Sequence, residues 1–168
     1  TFDAPLSSAN NTLTSLDKLD GGEGSDTLNA VQGTTGTAQI ATLKSIETVS
    51  GSFTAAGTIS LLGSTGVTSV TNNNSTAAGT VSNIGIAAKD GLTLSNTANG
   101  GTFAFATGDV TGSSDSATLT LSNVTAGTAT IAGIETLNIV SNGSANTLTT
   151  LTAAAATTLN VSGSQDLD

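Results

Sequence analysis

Twelve short β-like segments recur along this chain, mostly at intervals of about ten residues, and most of them alternate an apolar residue with threonine, serine or asparagine. They fall at residues 27–31, 46–49, 58–62, 67–71, 80–84, 91–95, 102–106, 117–122, 128–132, 135–140, 146–151 and 157–162. Phe103-Ala104-Phe105, Leu119-Thr120-Leu121, Leu137-Asn138-Ile139 and Leu159-Asn160-Val161 are the cleanest cases. A period of two puts one face of an extended strand in a core and the other in solvent. The breaks between segments are Gly-Ser, Asn-Gly, Asp-Gly and Asn-Asn groups, which are turn chemistry. The chain is therefore expected to be all-β. Two architectures tolerate this spacing, a solenoid of stacked coils and a β-sandwich.

Composition favours the solenoid. The chain has no Cys, His, Met, Trp or Tyr, and only four Phe among 168 residues. Such small side chains cannot fill a wide core, but they suit the narrow core of thin stacked layers. An internal repeat points the same way: Ser45-Ile46-Glu47-Thr48-Val49 returns as Gly133-Ile134-Glu135-Thr136-Leu137, 88 residues later. The expected fold is a right-handed parallel β-solenoid over residues 17–168, with a thin Leu/Ile/Val/Phe/Ala core and a β-sandwich as the alternative. Leu119, Leu121, Leu137, Ile139, Leu159 and Val161 are expected inside it, with Thr118, Thr120, Asn138 and Asn160 pointing out. Residues 1–16, which hold the single proline Pro5, read as a lead-in or cap. Residues 13–19, 37–44 and the alanine run in 152–158 carry spacing suited to a turn or two of helix, too short to be stable alone. The ends of the chain read as those of a piece cut from a longer protein.

Net charge is −9, from 12 acids against Lys18, Lys44 and Lys89. No basic stripe exists to neutralise phosphates, which disfavours nucleic acid, and anionic membrane surfaces are disfavoured likewise. No apolar run reaches membrane-spanning length. The balance favours divalent cations. Catalytic readings lack their parts. Without His or Cys no base or thiolate supports a nucleophile. Carboxylates alone do not make a zinc site, and no phosphate-binding glycine loop precedes a lysine. Glu47 and Glu135 as a glycosidase pair would want aromatic sugar platforms, and the chain has no Trp or Tyr. No enzymatic activity is expected.

The stretch Asp20-Gly21-Gly22-Glu23-Gly24-Ser25-Asp26-Thr27-Leu28 carries definite chemistry. Glycines such as Gly22 and Gly24 reach positive φ and turn carbonyls inward. With carboxylates from Asp20, Asp26 and the nearby Asp17, they would form a hard-oxygen nest suited to Ca²⁺. The pattern Gly-Gly-x-Gly-x-Asp-x-Leu resembles the calcium-binding nonapeptide repeat of RTX proteins. In that family the repeat is tandem, whereas one clean copy stands here, with Asp17-x-Leu19 like the tail of a degenerate copy.

The order of that glycine turn, Ile-Glu-Thr-Val, Asp115-Ser116-Ala117-Thr118-Leu119-Thr120-Leu121, Ile-Glu-Thr-Leu-Asn-Ile and Thr-Thr-Leu-Asn-Val is similar to type I-secreted surface-layer proteins of Gram-negative bacteria and to related calcium-rich adhesins. The resemblance implies a secreted, extracellular β-solenoid at the bacterial cell surface, stabilised by Ca²⁺ and assembling with copies of itself. Attachment to cell-surface polysaccharide would lie in another part of a longer chain. An adhesin module that recognises a partner is the alternative. A regular hydroxyl face from Thr118/Thr120 and Thr128/Thr130, able to bind ice or a crystal, is a more distant one. Asp109 and Asp115 flank the flexible stretch 110–114 and are candidates for a second ion. Glu47 and Glu135 read either as calcium ligands or a charged ladder between coils, or as solvent-facing strand residues beside a buried Ile. Asp90-Gly91, next to Lys89, reads as a plain turn.

Overall fold

A computed structural model of the chain describes residues 1–8 and 10–168 and shows a β-solenoid of about seven turns with essentially no helix. The backbone alternates between two parallel sheets. The longer sheet stacks eight strands in chain order: Phe2–Ala4, Thr27–Gln32, Thr48–Phe53, Ser69–Asn73, Leu92–Thr97, Ser116–Val124, Thr136–Asn142 and Thr158–Gly163. The second stacks Ala38–Ile40, Thr58–Ser60, Gly79–Ile84, Gly101–Phe105, Thr128–Ile131 and Thr150–Thr152 in the same order. Two strands per coil explain the ten-residue rhythm.

The register measures each coil. Leu28, Val49, Val70, Leu92, Leu119, Ile139 and Val161 are successive partners in the long sheet, spaced 21, 21, 22, 27, 20 and 22 residues apart. The one long coil carries its extra residues between the strand ending at Phe105 and the strand beginning at Ser116.

Alternation along each strand builds the core. Thr136–Asn142 buries every second residue, Ser116–Val124 does so as far as Leu121, and the apolar rows of both sheets meet in a single cluster. Leu119, Leu121, Leu137 and Ile139 are buried as expected. Leu159 and Val161 continue the same rows, but their strand is at the edge of the sheet with one neighbour only, and they are 52% and 57% exposed rather than buried. Phe53 is, with Phe103, the largest fully buried residue of the thin core. It fits because Gly79 has no side chain: a Cβ there would lie 2.1 Å from the ring.

The helical expectations are not met. Residues 37–44 form the strands Ala38–Ile40 and Thr42–Lys44, residues 153–157 make a turn, and residues 13–19 a turn leading into the strand Lys18–Asp20. Adjacent coils offer each of these segments a ready row of backbone partners, whereas a one-turn helix must supply its own. The sole helical element among the described residues is a 3₁₀ turn at Ile86–Ala88, which was not expected. Within residues 1–16, Phe2–Ala4 forms the first strand of the long sheet, and Leu6–Ser7 pairs antiparallel with Asn10–Asn11. No helix among the described residues is long and apolar enough to cross a membrane.

Candidate functional site

Most of the acids, Asp3, Asp166 and Asp168 apart, gather at and around the corner that precedes the long strands, and the repeated pentapeptide defines its geometry. The residue before each Ile turns the chain through positive φ, 50° at Ser45 and 75° at Gly133, and Ile46 and Ile134 drop into the core. The next residue, Glu47 or Glu135, then reaches back one coil. The Asp26 N–H donates to Glu47 Oε2 at 2.7 Å, and the Asp115 N–H donates to Glu135 Oε2 at 2.8 Å. The Asp carbonyls return the bond, accepting from Glu47 and Thr48 N–H groups in one case and from Glu135 and Thr136 in the other, at 3.0–3.1 Å. The Glu47 carbonyl accepts from Thr68 and Ser69, and the Glu135 carbonyl from Thr157 and Thr158. Each Glu therefore clips three successive coils together through backbone groups. Both Glu stand half-exposed beside a buried Ile, in keeping with the solvent-facing reading, and the carboxylate bond to the coil before is what that reading lacked. The signal was present in sequence: Asp26 precedes Glu47 by 21 residues and Asp115 precedes Glu135 by 20, one coil in each case.

The glycine turn sits at the same corner on the first full coil. Gly22 and Gly24 have φ of 79° and 109°, as the motif requires, and Gly21 lies so close to the next coil that a Cβ would fall 1.9 Å from the Ser45 carbonyl oxygen. Asp20 accepts from the Gly22 N–H at 3.1 Å and pairs with Lys44 Nζ at 2.6 Å. The Lys44 hydrogen bond, then that of Gly22, holds the Asp20 carboxyl below its ordinary value, and the same pair raises Lys44. Asp17 closes its own turn, accepting from the Thr14 N–H at 2.7 Å. Asp109 accepts from the Ile86 N–H at 3.0 Å, at the start of the 3₁₀ turn one coil earlier. Asp115 accepts from the Gly112 N–H at 3.1 Å. Asp90 is held below its ordinary value by Lys89 and takes a further bond from Thr118.

The carboxylates named from sequence thus share one flank of the molecule but do not converge. Among the described residues no three acidic side chains form a group able to hold a metal ion. The donors are of the right chemistry for Ca²⁺, hard oxygens beside a glycine turn, but as arranged they form no cage. The Lys44 ammonium takes the position beside Asp20 that a cation would need.

The opposite corner, which follows the long strands, is neutral except after the last of them, where Asp166 and Asp168 stand. Ser75 Oγ accepts from the Phe53 N–H at 2.9 Å, Thr97 Oγ1 donates to the Ser75 carbonyl at 2.9 Å, and Asn146 Oδ1 accepts from the Val124 N–H at 2.8 Å. All three side chains are buried. Outside them runs an exposed amide ladder, Asn123 to Asn96 at 2.9 Å and Asn96 to Asn73 at 3.0 Å.

Between the corners lie two outward faces. On the second sheet Thr58, Thr80, Thr102, Thr130 and Thr152 stand in register on five successive coils. The Thr118/Thr120 pair belongs to the long sheet and the Thr128/Thr130 pair to the second, so the two pairs do not share a face. Two clefts of about 240 and 300 Å³ open at the coil surface, one beside Asp3 and Asp17, the other beside Ser64, Thr65 and Asn83. No family model matches the sequence, and no curated protein or solved structure matches it.

Proposed function

We propose that this chain is a structural segment of a secreted bacterial surface-layer protein, a rigid solenoid that associates with copies of itself at the cell surface. The observation that carries the reading is where the polar side chains are spent. Glu47, Glu135, Ser75 and Asn146 each bond across to an adjacent coil, and Asp17, Asp109 and Asp115 each accept a backbone N–H. Each repeat of such a stack touches only its neighbours, so every side-chain bond across coils strengthens the stack as a whole, which suits a surface layer. The motif resemblance supplies the setting, and the acidic corner supplies the surface that divalent ions would neutralise.

Calcium enters this reading as a stabiliser recruited at the glycine turn in competition with Lys44. An ion that binds the folded chain and not the unfolded one raises the thermal midpoint by mass action. The expected result is a midpoint that rises in calcium and falls in chelator, with a larger response in Lys44→Gln and a smaller one in Asp20→Ala. Light scattering in calcium, magnesium and chelator tests assembly, with magnesium the weaker agent because it demands tighter octahedral geometry. Monomers under every condition would remove the surface-layer reading and favour an adhesin module. The threonine row on the second sheet favours one further reading, a surface complementary to ice or a crystal lattice, since five hydroxyl and methyl groups repeat there at the strand spacing of about 4.8 Å. Altered ice-crystal habit in the presence of the protein would support it.

A further inference from the structure

The seven long-sheet strands from Thr27 to Gly163 contain no Asp, Glu or Lys, although the chain carries 12 acids and three lysines; the eighth, Phe2–Ala4 at the edge of the sheet, carries the exposed Asp3 in register with Asn29, whose amide donates to it at 2.8 Å. Their outward residues form three rows in register. The middle row is Asn29, Ser50, Thr71, Thr93, Thr120, Val140 and Ser162. One border of this face is the acidic corner, with Asp26, Glu47, Asp90, Asp115 and Glu135 immediately before or near the strands. The other border is the amide ladder of Asn73, Asn96 and Asn123.

We infer that this outward face is a self-recognition surface that docks the same face of a second copy. The inference rests on the self-associating reading above and names the surface that does it. Two copies with net charge −9 repel wherever carboxylates approach one another, so a contact must be made where there are none. Six steps of about 4.8 Å between strands and about five residues of 3.3 Å along them give a face of about 500 Å² per copy, or about 1,000 Å² for a pair, at the threshold of a specific contact. The second sheet, with strands mostly of three to six residues, offers a smaller neutral face. Charge also fixes the orientation. A two-fold axis along the strands would lay acidic border on acidic border. An axis along the stack of coils reverses the strands and lays each acidic border over the partner's Asn ladder, whose amide N–H groups are donors. That second arrangement puts Thr93, in the middle row of the central strand, opposite its own mate, and brings Asp3 towards its mate only at the rim of the face, where water screens the pair.

The test uses sedimentation of the full chain across concentration in moderate salt, with circular dichroism and thermal melts to confirm folding. Thr93→Glu/Thr120→Glu places acids in the middle of the face and is expected to weaken association at least tenfold. Ser113→Glu/Ser114→Glu makes the same change of charge on the exposed loop of the long coil and is expected to leave it unchanged. In the same assay Thr93→Cys, a unique thiol in a chain without cysteine, is expected to form a dimeric disulfide under mild oxidation, whereas Ser113→Cys is not. Association that survives the face variant and is lost in the loop variant overturns the inference and leaves the assembly reading intact. A wild-type chain that never associates removes both. Binding to ice or polysaccharide that the face variant abolishes, without any self-association, overturns the second copy as the occupant.

Discussion

The two corners of each coil solve one problem in different ways. Where a strand ends, its last backbone groups lose their sheet partners and must find others. At the corner that follows the long strands the partners are buried neutral side chains, Ser75, Thr97 and Asn146. At the corner that precedes them the partners are half-exposed carboxylates, Glu47 and Glu135. A buried carboxylate would be costly to desolvate, whereas a buried amide that is fully bonded is not. The chain therefore keeps charge where water still reaches it, and Asp3 on the edge strand Phe2–Ala4 is the one charged residue on the strands of its two main sheets.

The comparison is broken most severely on the buried side. Asn146 is 1% exposed, accepts from Val124, and donates to Ser141 Oγ and the Asn142 and Ser144 carbonyls at 2.8–2.9 Å. Asn146→Ala strands the Val124 N–H and leaves a hole, and is expected to cost about 3 kcal/mol, with buried unmet polar groups supplying most of it. In a chain of this length that is a fall of roughly 10 °C in the thermal midpoint. A loss under about 1 kcal/mol in urea melts would mean that water replaces the side chain and that the corner is open.

The carboxylate side is expected to be softer. Glu135→Ala removes one charge-assisted acceptor from a half-exposed site and is expected to cost about 1.5 kcal/mol, with Glu135→Gln recovering about half because its amide oxygen still accepts. Glu47→Ala should match it, since the two corners have the same bonds. They lie four coils apart, about 19 Å at the strand spacing, so the double variant should be additive within about 0.5 kcal/mol. Unequal single losses would show that the repeat shares its sequence without sharing its energetics, and the glycine turn beneath Glu47 would be the difference to pursue.

How much of this was legible follows from range. The in-and-out pattern of Leu119, Leu121, Leu137 and Ile139 is local, and period two is enough to place it. Two strands per coil could be read from the ten-residue rhythm, because all but one of the steps between coils are 20–22 residues. The segment 37–44 misled, since Ala38, Ile40, Ala41 and Leu43 fit helical spacing as well as two short strands, and the neighbouring coils decide between them. At the candidate site the glycine conformations at Gly22 and Gly24 were legible, because positive φ is written into glycine. Lys44 beside Asp20 was not, because a cation 24 residues away along the chain lies next door only once the coil length is known. The same holds for Glu47 and Glu135, whose partners stand one coil back. Spacing between Asp and Glu, equal to one coil in both copies, is the signal that would have found them.

The smallest effect separates two kinds of carboxylate within the acidic corner. Asp20 and Lys44 are both exposed, with half or more of each side chain open to water, so solvent screens their attraction and its effect on stability is slight. Its pH dependence is nevertheless definite. Asp20 titrates below its ordinary value of 3.8 when folded, so its contribution is present above the carboxylate range and is lost as pH falls through the depressed value. Lys44 titrates above its ordinary value of 10.5, so its contribution is present below that value and is lost as pH rises through the raised one. The midpoint difference between wild type and Asp20→Asn is thus expected to be flat from about pH 5 to pH 10 and to shrink at both ends. Salt of about 0.5 M should shrink it further, since screening acts on exposed pairs. Glu135→Gln, which trades a carboxylate bonded to backbone for an amide, should keep most of its difference in the same salt. If both differences collapse together, the Glu135 bond is no more than another surface pair, and the contrast between the clip and the ion pair fails.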